Sequence, residues 1–478
     1  MNKLNRNIKI VFIIFSVLFS SLIIYLTYFQ LYEREKLITS SYSVYNKRLI
    51  NQERKILRGS ILDRNGNILA KSIIVDGIQK REYIDPEAFA QVIGYSRRIY
   101  QQGSSGIENT YDRQLLGMIN SDPMTYLRKV ILGKQQIGDN LILTIDKKLQ
   151  DIAYYDLKGK KGAAVAINPK TGEVLAMVSL PSYNPNSLSE NWTQIMNSPD
   201  KVVLNRATQG LYPPGSIFKI ITASAALTYK PDLYTKSFDC KGYTIVDGNR
   251  IEDYEGIAHG VLDFKKAFYL SCNSAFIDIG LKLGASNLQN MAYKFGLNSQ
   301  IPLDIDTAKN IFPDIAQKND KVILAETSIG QGKILVTPLT MALMASSVAN
   351  EGVIMKPYLM KYVIDPVSGT VLEKSSPSEY LNPISKEVAY KIRELMIGVV
   401  KEGTGTSAQI PGITVAGKTG TAENPHGKPH AWFVGFAPAE DPEIVVSVIV
   451  ENGGTGGEIA APIAKDIIKT YIENKAKR

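Results

Sequence analysis

Three short segments contain residue types that could act together on an acyl group. The first is Pro213-Pro-Gly-Ser216-Ile-Phe-Lys219, which runs into an Ala/Ile-rich stretch predicted to be a buried helix. Ser216 and Lys219 are three residues apart, so a helix places them on one face of its first turn. A helix N-terminus favours negative charge developing on a serine, and burial lets a lysine accept a proton near neutrality. The pair could therefore supply a nucleophile and its base.

The second segment is Ser271-Cys272-Asn273, after the apolar stretch 264–270. A hydroxyl and an amide on one short loop could relay a proton and hold a C=O or N–H group of a bound peptide. Taken alone, Ser271 and Asn273 are also what an ordinary loop or helix cap contains. The segment is therefore informative only in combination with the others.

The third segment is Lys418-Thr419-Gly420-Thr421, which predicts a strand. The ammonium of Lys418 and the hydroxyls of Thr419 and Thr421 would suit a substrate carboxylate, and Gly420 would let a ligand backbone come close. An ordinary glycine-containing edge strand has the same composition. The more specific signal is the order: Ser-x-x-Lys, then Ser-x-Asn, then Lys-Thr-Gly.

The composition limits which chemistry these segments can perform. The chain has 478 residues, which predicts two or three domains, and its 44% hydrophobic content disfavours whole-chain disorder and a polytopic membrane protein. Only 3 His and 2 Cys are present, which excludes a disulfide scaffold and a Cys-rich zinc module. Proton transfer should then rest on a residue other than histidine. The net charge of +9 suits an anionic membrane surface or cell-wall polymer.

One stretch near the N-terminus is long and apolar enough to cross a bilayer. Residues 10–29 carry no charge, and basic residues precede them. Twenty helical residues span roughly 30 Å, the thickness of a bilayer core. The bulky Tyr28-Phe29-Gln30-Leu31 exit is unlike a signal-peptidase site, so we expect an uncleaved signal anchor rather than a cleaved signal or a buried helix. The cytoplasmic tail would be 1–9, and the rest of the chain would lie outside.

The elements that must position the three segments alternate between strands and helices. Hairpins are predicted around Asn65-Gly66 and around 168–172, and another pair of strands within 431–450. The tail 459–471 has one apolar helical face. Strands at both ends of the second half, with helices between them, predict an α+β fold whose sheet joins its first and last segments.

Together the three segments resemble the class B penicillin-binding proteins, which are monofunctional peptidoglycan transpeptidases. The resemblance extends to 58–66, 106–111, 172–178 and 429–438, and covers the chain from Arg58 to the C-terminal helix. The composition predicts a transmembrane helix at 10–29 and a polar juxtamembrane stalk at 30–57. The resemblance implies that 58–145 is a small β-rich pedestal or dimerisation domain. The remainder, 146–478, would be a transpeptidase domain like serine β-lactamases and D,D-peptidases, with helices flanking an antiparallel sheet.

The family resemblance implies a role for each matching residue. Ser216 would be the acylated nucleophile and Lys219 its base, while Ser271 would pass a proton to the departing D-alanine amine. Asn273 would position the substrate and Lys219, and Lys418 would support the proton network. Other implied residues are Thr419, Gly420 and Thr421 for the substrate carboxylate, and the N–H groups of Ser216 and Thr421 for the oxyanion hole.

The implied partners are peptidoglycan stem peptides and lipid-linked precursor strands, with β-lactams as inhibitors. No glycosyltransferase-sized domain precedes the transpeptidase, so we expect a separate membrane-embedded glycosyltransferase of the shape, elongation, division and sporulation family. We expect no cofactor, no metal and no nucleic acid. A related serine hydrolase and a non-catalytic scaffold or β-lactam sensor are the alternative functions.

Some other residues allow two interpretations. His426 and His430 have metal-like spacing in a Pro/Gly-rich loop, which we interpret as a cleft rim. Cys240 and Cys272 could form a disulfide outside the cell or remain unpaired thiols. Charged residues in the first half could join two domains or lie as solvated surface charge; they are Arg58, Arg64 and Glu108.

Overall fold

The computed structural model describes residues 2–29, 56–76, 78–96, 103–118, 136–318, 320–425 and 427–476. The strands are β1 Ile56–Leu57, β2 Ile61–Leu62, β3 Ile68–Val75, β4 Ile78–Tyr83, β5 Gln136–Ile137, β6 Asn140–Leu143, β7 Gly162–Ile167, β8 Val174–Leu180, β9 Ser237–Cys240, β10 Tyr243–Val246, β11 Asn249–Glu252, β12 Gly260–Asp263, β13 Ile354–Met355, β14 Met360–Ile364, β15 Val371–Lys374, β16 Glu379–Leu381, β17 Ala416–Ala422, β18 His430–Ala437 and β19 Ile444–Val450.

The α-helices are α1 Asn2–Tyr28, α2 Pro86–Ile93, α3 Gly106–Thr110, α4 Asp112–Leu115, α5 Lys147–Leu157, α6 Leu188–Met196, α7 Lys219–Tyr229, α8 Phe264–Tyr269, α9 Asn273–Leu283, α10 Ala285–Lys294, α11 Ile315–Lys318, α12 Lys321–Ser328, α13 Pro338–Ala349, α14 Lys386–Glu402 and α15 Ala461–Ala476. Short 3₁₀ turns lie between them, including Gly215–Phe218 before α7 and Tyr254–Gly256 before β12.

Helix α1 contains a segment, Asn5–Tyr28, that is long and apolar enough to cross a membrane, and none of it is buried inside the protein. Apolar side chains exposed along a whole helix are stable in lipid rather than in water. The helix fits a single-pass membrane anchor and begins earlier than the predicted 10–29. The predicted stalk, 30–57, lies outside the described residues except for β1.

The C-terminal half is built on a five-stranded antiparallel sheet in the order β17-β18-β19-β7-β8. The first two and last three strands of this half therefore pair, which confirms the predicted α+β arrangement. Helix α13 packs on one face of the sheet, and α5 and α15 pack on the other. Because both faces are covered, every residue of β7, β8 and β19 is buried, and these strands are apolar except for Ser179 and Ser447. One of its two edge strands is β17, which carries the Lys-Thr-Gly segment.

A second sheet, ordered β15-β14-β6-β2-β3-β4, combines strands from both halves of the chain. The predicted Asn65-Gly66 hairpin is present: β2 and β3 pair antiparallel, and Gly66 has φ +86°. Hairpin β14–β15 comes from the predicted transpeptidase domain, yet it extends the pedestal sheet by pairing with β6. The boundary at 145/146 lies between β6 and α5, but hydrogen bonding crosses it.

Charged residues lie buried inside the pedestal. Arg58 Nε and Arg81 Nε donate to the two oxygens of Glu108 at 2.7 and 2.8 Å, and all three side chains are at most 2% exposed. Burial alone would raise the pKa of Glu108, but the two guanidiniums hold it below its usual value. Surface charge is therefore the wrong interpretation for Arg58 and Glu108. Of these three charged residues, Arg64 is the one that pairs with the other half of the chain, through Glu173 at 3.1 Å.

Replacing Glu108 with Gln should destabilise the protein strongly. The substitution keeps the shape but leaves Arg81 buried without a counter-charge and Arg58 paired only with the partly exposed Asp112. Breaking a buried pair in this way costs about 3–5 kcal/mol. The matched control is Glu82→Gln, which breaks an exposed pair with Lys71 at 3.4 Å and should cost about 0–1 kcal/mol. Thermal unfolding of the full chain in detergent gives the comparison. Equal unfolding midpoints for the two variants would contradict the role given to the buried pair.

Candidate active site

Ser216 lies in the 3₁₀ turn Gly215–Phe218 that leads into α7. The turn is held against the edge of the sheet: Trp432 Nε1 donates to Pro213 O at 3.0 Å, and Gly215 N donates to Gly330 O at 2.9 Å. Gly215 has φ +56°, and a Cβ there would lie 2.9 Å from Thr421 O. Glycine therefore allows both the turn and its close approach to β17. The Ser216 side chain remains partly exposed.

Lys219 is the first residue of α7, and it is fully buried. Its Nζ donates to Ser271 O at 2.6 Å and to Asn273 Oδ1 at 2.7 Å, and lies 3.4 Å from Ser271 Oγ. The ring of Phe276 lies 5.5 Å from the ammonium. Burial lowers the pKa of Lys219 to about 8, so its neutral form is accessible near physiological pH.

Lys418 reaches the same hydroxyl from β17. Its Nζ donates to Ser271 Oγ at 2.8 Å and to Thr419 O at 3.1 Å, and the side chain is fully buried. Burial lowers the pKa of Lys418 well below its usual value, and the charge of Lys219 lowers it further. The Ser271 hydroxyl thus lies between two buried lysines. Two positive charges this close repel each other. The arrangement therefore favours a state in which at least one of the two lysines is neutral.

Ser271 has a left-handed backbone, with φ +59°. A non-glycine residue in this region costs about 1–3 kcal/mol and persists only where its neighbours hold it. The next residues are held by the buried carboxylate of Asp253, which accepts hydrogen bonds from Asn273 N–H, and from Ser274 N–H and Oγ at 3.1 and 2.5 Å. Asp253 was not identified from the sequence, because a single acidic residue in an irregular loop has no distinguishing pattern.

The other residues of the third segment differ in their surroundings. Thr419 is buried, and its Oγ1 lies 2.5 Å from Oγ1 of Thr404, a partner that the sequence did not indicate. Thr421 is partly exposed. A Cβ at Gly420 would lie 3.0 Å from Ile217 Cγ2, so this glycine lets the turn Gly215–Phe218 pack on the strand. The carboxylate-binding roles of these three residues remain predictions.

The structure therefore brings four predicted residues into one hydrogen-bonded group: Lys219, Ser271, Asn273 and Lys418. Ser216 shares a turn with Lys219, and its hydroxyl makes no hydrogen bond among the residues that the structure describes. Both cysteines are free and buried. His430 begins β18 and accepts a hydrogen bond from Asn452 N–H at 3.1 Å, while His426 lies outside the described residues.

Comparison with known families gives two matches. Residues 162–469 match the penicillin binding protein transpeptidase domain, and residues 58–141 match the penicillin binding protein A dimerisation domain. The peptidoglycan D,D-transpeptidase PbpA of Mycobacterium tuberculosis is 34% identical over 90% of this chain and 92% of its own length. Stage V sporulation protein D of Bacillus subtilis is 33% identical over 89% of this chain and 68% of its length.

Solved structures give the same result. Penicillin-binding protein A from M. tuberculosis, as a ceftriaxone acyl-enzyme, superposes with a TM-score of 0.82 at 34% identity, covering 88% of this chain and 99% of that one. The penicillin G acyl-enzyme of the same protein has a TM-score of 0.80 at 35% identity, covering 87% of this chain and 99% of that one. Pseudomonas aeruginosa PBP2 has a TM-score of 0.74 at 31% identity, covering 87% of this chain and 95% of that one.

Substituting Gly215 with Ala should slow covalent labelling by a fluorescent penicillin by about 10²-fold, the effect of moving a reacting group by about 1 Å. The added methyl group would press on β17 and displace Ser216. The control is Gly248→Ala, because Gly248 has φ +84° but nothing within 4 Å of an added Cβ. It carries the same backbone strain without the contact, and should label at the wild-type rate. Equal slowing in both variants would attribute the effect to backbone strain alone.

Proposed function

The chain belongs to the penicillin-binding protein transpeptidase family, and on that premise we propose that it cross-links peptidoglycan stem peptides through an acyl-enzyme on Ser216. The observation that carries the proposal is the meeting of Lys219 and Lys418, both fully buried, at the Ser271 hydroxyl. Burying two ammonium groups opposes folding, so an arrangement that keeps both is typical of a site selected for proton transfer.

In the first step, Lys219 takes the proton of Ser216, whose oxygen attacks the penultimate D-alanine carbonyl. The depressed pKa of Lys219 supports this role, because a base must be neutral before it can accept a proton. The hydrogen bond to Asn273 Oδ1 holds the side chain in place. No histidine is required.

In the second step, the terminal D-alanine leaves as an amine and needs a proton. Ser271 is suited to deliver it, because its hydroxyl lies 2.8 Å from Lys418 Nζ and 3.4 Å from Lys219 Nζ. A proton can thus pass from Lys219 through Ser271 to the leaving nitrogen, and Lys418 stabilises the charge that moves. An amine of a second stem peptide then attacks the ester, and Ser216 regains its proton.

The carbonyl oxygen needs donors while it carries negative charge. The close packing of the nucleophile turn on β17 supports the assignment of the N–H groups of Ser216 and Thr421 to this role, and one such donor is worth about 3 kcal/mol. Thr421 is the better candidate of the two threonines for the substrate carboxylate, since its side chain is partly exposed whereas Thr419 is buried against Thr404.

The anchor helix and the basic residues before it support a single-pass topology with the N-terminus in the cytoplasm and the catalytic domain outside. There the enzyme would meet stem peptides of lipid-linked precursor strands and, by family analogy, a membrane-embedded glycosyltransferase. A related hydrolase would use the same acyl-enzyme but release it to water. A non-catalytic scaffold would have no need of two buried lysines.

Ser216→Ala should abolish covalent labelling by penicillin, because the acylated oxygen is removed. Mass spectrometry of the wild-type chain should locate one adduct on the peptide that contains Ser216, and the adduct should persist. Ser224→Ala, which removes a buried hydroxyl bonded to Ile220 O, is the control and should still label. Labelling of the Ser216 variant would refute the nucleophile assignment, and rapid loss of the wild-type adduct would favour the hydrolase.

The rate of acylation should rise with pH through about 8, the pKa of Lys219. The sign follows from the base: its neutral, proton-accepting fraction grows as the pH passes its pKa, and the rate then levels off. Labelling rates measured between about pH 6 and 9 give the profile. Lys219→Arg should label very slowly and without this rise, because a guanidinium stays protonated throughout. A flat wild-type profile would contradict the role of Lys219 as base.

A further inference from the structure

Two aromatic rings face the buried ammonium groups of the active site, one on each side of the Ser271 loop. Lys219 Nζ lies over the ring of Phe276, 5.5 Å from its centroid, and Lys418 Nζ lies over the ring of Phe268 at 5.7 Å. Both phenylalanines are fully buried. A cation within about 6 Å of a ring centroid is attracted by the negative face of the ring. Each lysine therefore has an aromatic ring of its own.

The local structure brings both rings to this position. Phe268 belongs to α8, and Ser271 N–H donates to Phe268 O at 3.2 Å. Phe276 belongs to α9, three residues after Asn273, so these two side chains lie on one face of the first turn of the helix. Asn273 Oδ1 accepts from Lys219 Nζ at 2.7 Å, and the ring of Phe276 approaches the same ammonium. The two rings are thus held by the helices on either side of Ser271, with their centroids 6.0 Å apart.

The hydrogen-bond acceptors of both ammonium groups are neutral. Lys219 donates to a backbone carbonyl and an amide oxygen, and Lys418 donates to a hydroxyl and a backbone carbonyl. The other titratable groups that act on Lys219 are the thiols of Cys272 and Cys240 and the carboxylate of Asp253, while the two lysines act on each other. The ring faces add an attraction in direct contact with each ammonium, and this attraction exists only while the lysine is charged.

An aromatic ring suits a base that must release and regain its proton. A carboxylate in direct contact would raise the pKa of Lys219, which would then remain protonated near neutrality. A leucine in the place of the ring would bury the ammonium without any attraction, and burial alone disfavours the charged form. The ring face gives a stabilisation between these two limits, so both protonation states of the lysine stay accessible.

We propose that Phe276 and Phe268 are positioning residues that determine which of the two lysines carries a proton. Two ammonium groups this close repel each other, and the pair that has lost one proton exists in two forms. In the competent form Lys219 is neutral and accepts the Ser216 proton, while Lys418 is charged. The ring of Phe268 favours this form, and the ring of Phe276 favours the other. This assignment rests on the proposed function, because the two forms differ in activity only if Lys219 is the base.

Fluorination of one ring at a time tests the proposal with little change in packing. Trifluorophenylalanine keeps an apolar ring of similar size, but its fluorines withdraw electrons from the ring face and weaken the attraction for a cation. It is placed at position 276, 268 or 264 of the full chain by suppression of a stop codon. Phe264 is the matched control: it is fully buried in α8 and packs on Phe276, and no ammonium lies over its ring in the part of the chain that the structure describes. The rate of labelling by a fluorescent penicillin is measured between about pH 6 and 9.

Trifluorophenylalanine at position 276 should speed acylation on the acid side of the pH profile. Loss of the ring's attraction favours neutral Lys219, so the midpoint should move down by about 0.7 of a pH unit. The rate on the acid limb should rise by the corresponding factor, about fivefold. The control at position 264 should keep the wild-type midpoint. An unchanged midpoint in the variant at position 276 would overturn the role of that ring.

Trifluorophenylalanine at position 268 should act differently. It disfavours charged Lys418, so a larger share of the singly protonated pairs holds the proton on Lys219. The acid limb should keep the wild-type rate, because both lysines are protonated there and only Lys219 has to lose a proton. The plateau at higher pH should fall by as much as about fivefold. Equal slowing over the whole pH range in both variants would indicate damaged packing and overturn the proposal.

Leucine variants separate the effect of the ring face from that of stability. Phe276→Leu should move the pH midpoint in the same direction as fluorination, whereas Phe264→Leu should lower the unfolding temperature and leave the pH midpoint unchanged. A shift of the pH midpoint in both variants would overturn the role of the ring face. A wild-type chain that penicillin never labels would refute the proposed function itself. A wild-type chain that labels, with a profile that responds to neither fluorinated ring, would refute only the role of the rings.

Discussion

The Ser271 hydroxyl lies between the ammonium groups of Lys219 and Lys418, and both lysines are withdrawn from water. This contact constrains everything around it, because each lysine comes from a different element. Helix α7 must present one lysine, β17 must present the other, and the loop before α9 must hold the serine between them. A small shift of any of the three would leave a buried charge without its partner. The packed core around them therefore holds Lys219, Ser271 and Lys418 in an arrangement that would be unstable without it.

Much of the fold and of the candidate site could be predicted from the sequence, because the residues that determine these features lie close together in the chain. The Asn65-Gly66 turn, the hairpin β7–β8 and the pair β18–β19 follow from turn residues between apolar runs, and the structure confirms them. The three active-site segments were identified from their order along the chain.

Other features depended on contacts between distant parts of the chain. Nothing near Asp253 indicates that it accepts the backbone of Asn273, twenty residues away. The buried ion pair of Arg58 with Glu108 is likewise invisible locally, since a charged residue predicts surface exposure. The pairing of β14 with β6 joins residues more than two hundred positions apart. Periodicity and spacing describe single elements, whereas these contacts arise only when elements pack.

The shared sheet also has a mechanical consequence. Four residue pairs, from Met360 with Leu143 to Ile364 with Asn140, connect the catalytic half to the pedestal. Separating the halves means breaking a row of backbone hydrogen bonds, each worth about 1 kcal/mol, in addition to the Arg64–Glu173 ion pair. A force between the membrane end of the pedestal and a peptidoglycan strand bound in the cleft would therefore act on the hydrogen bonds between β14 and β6. A load applied to one half thus reaches the other through backbone hydrogen bonds rather than through side-chain contacts alone.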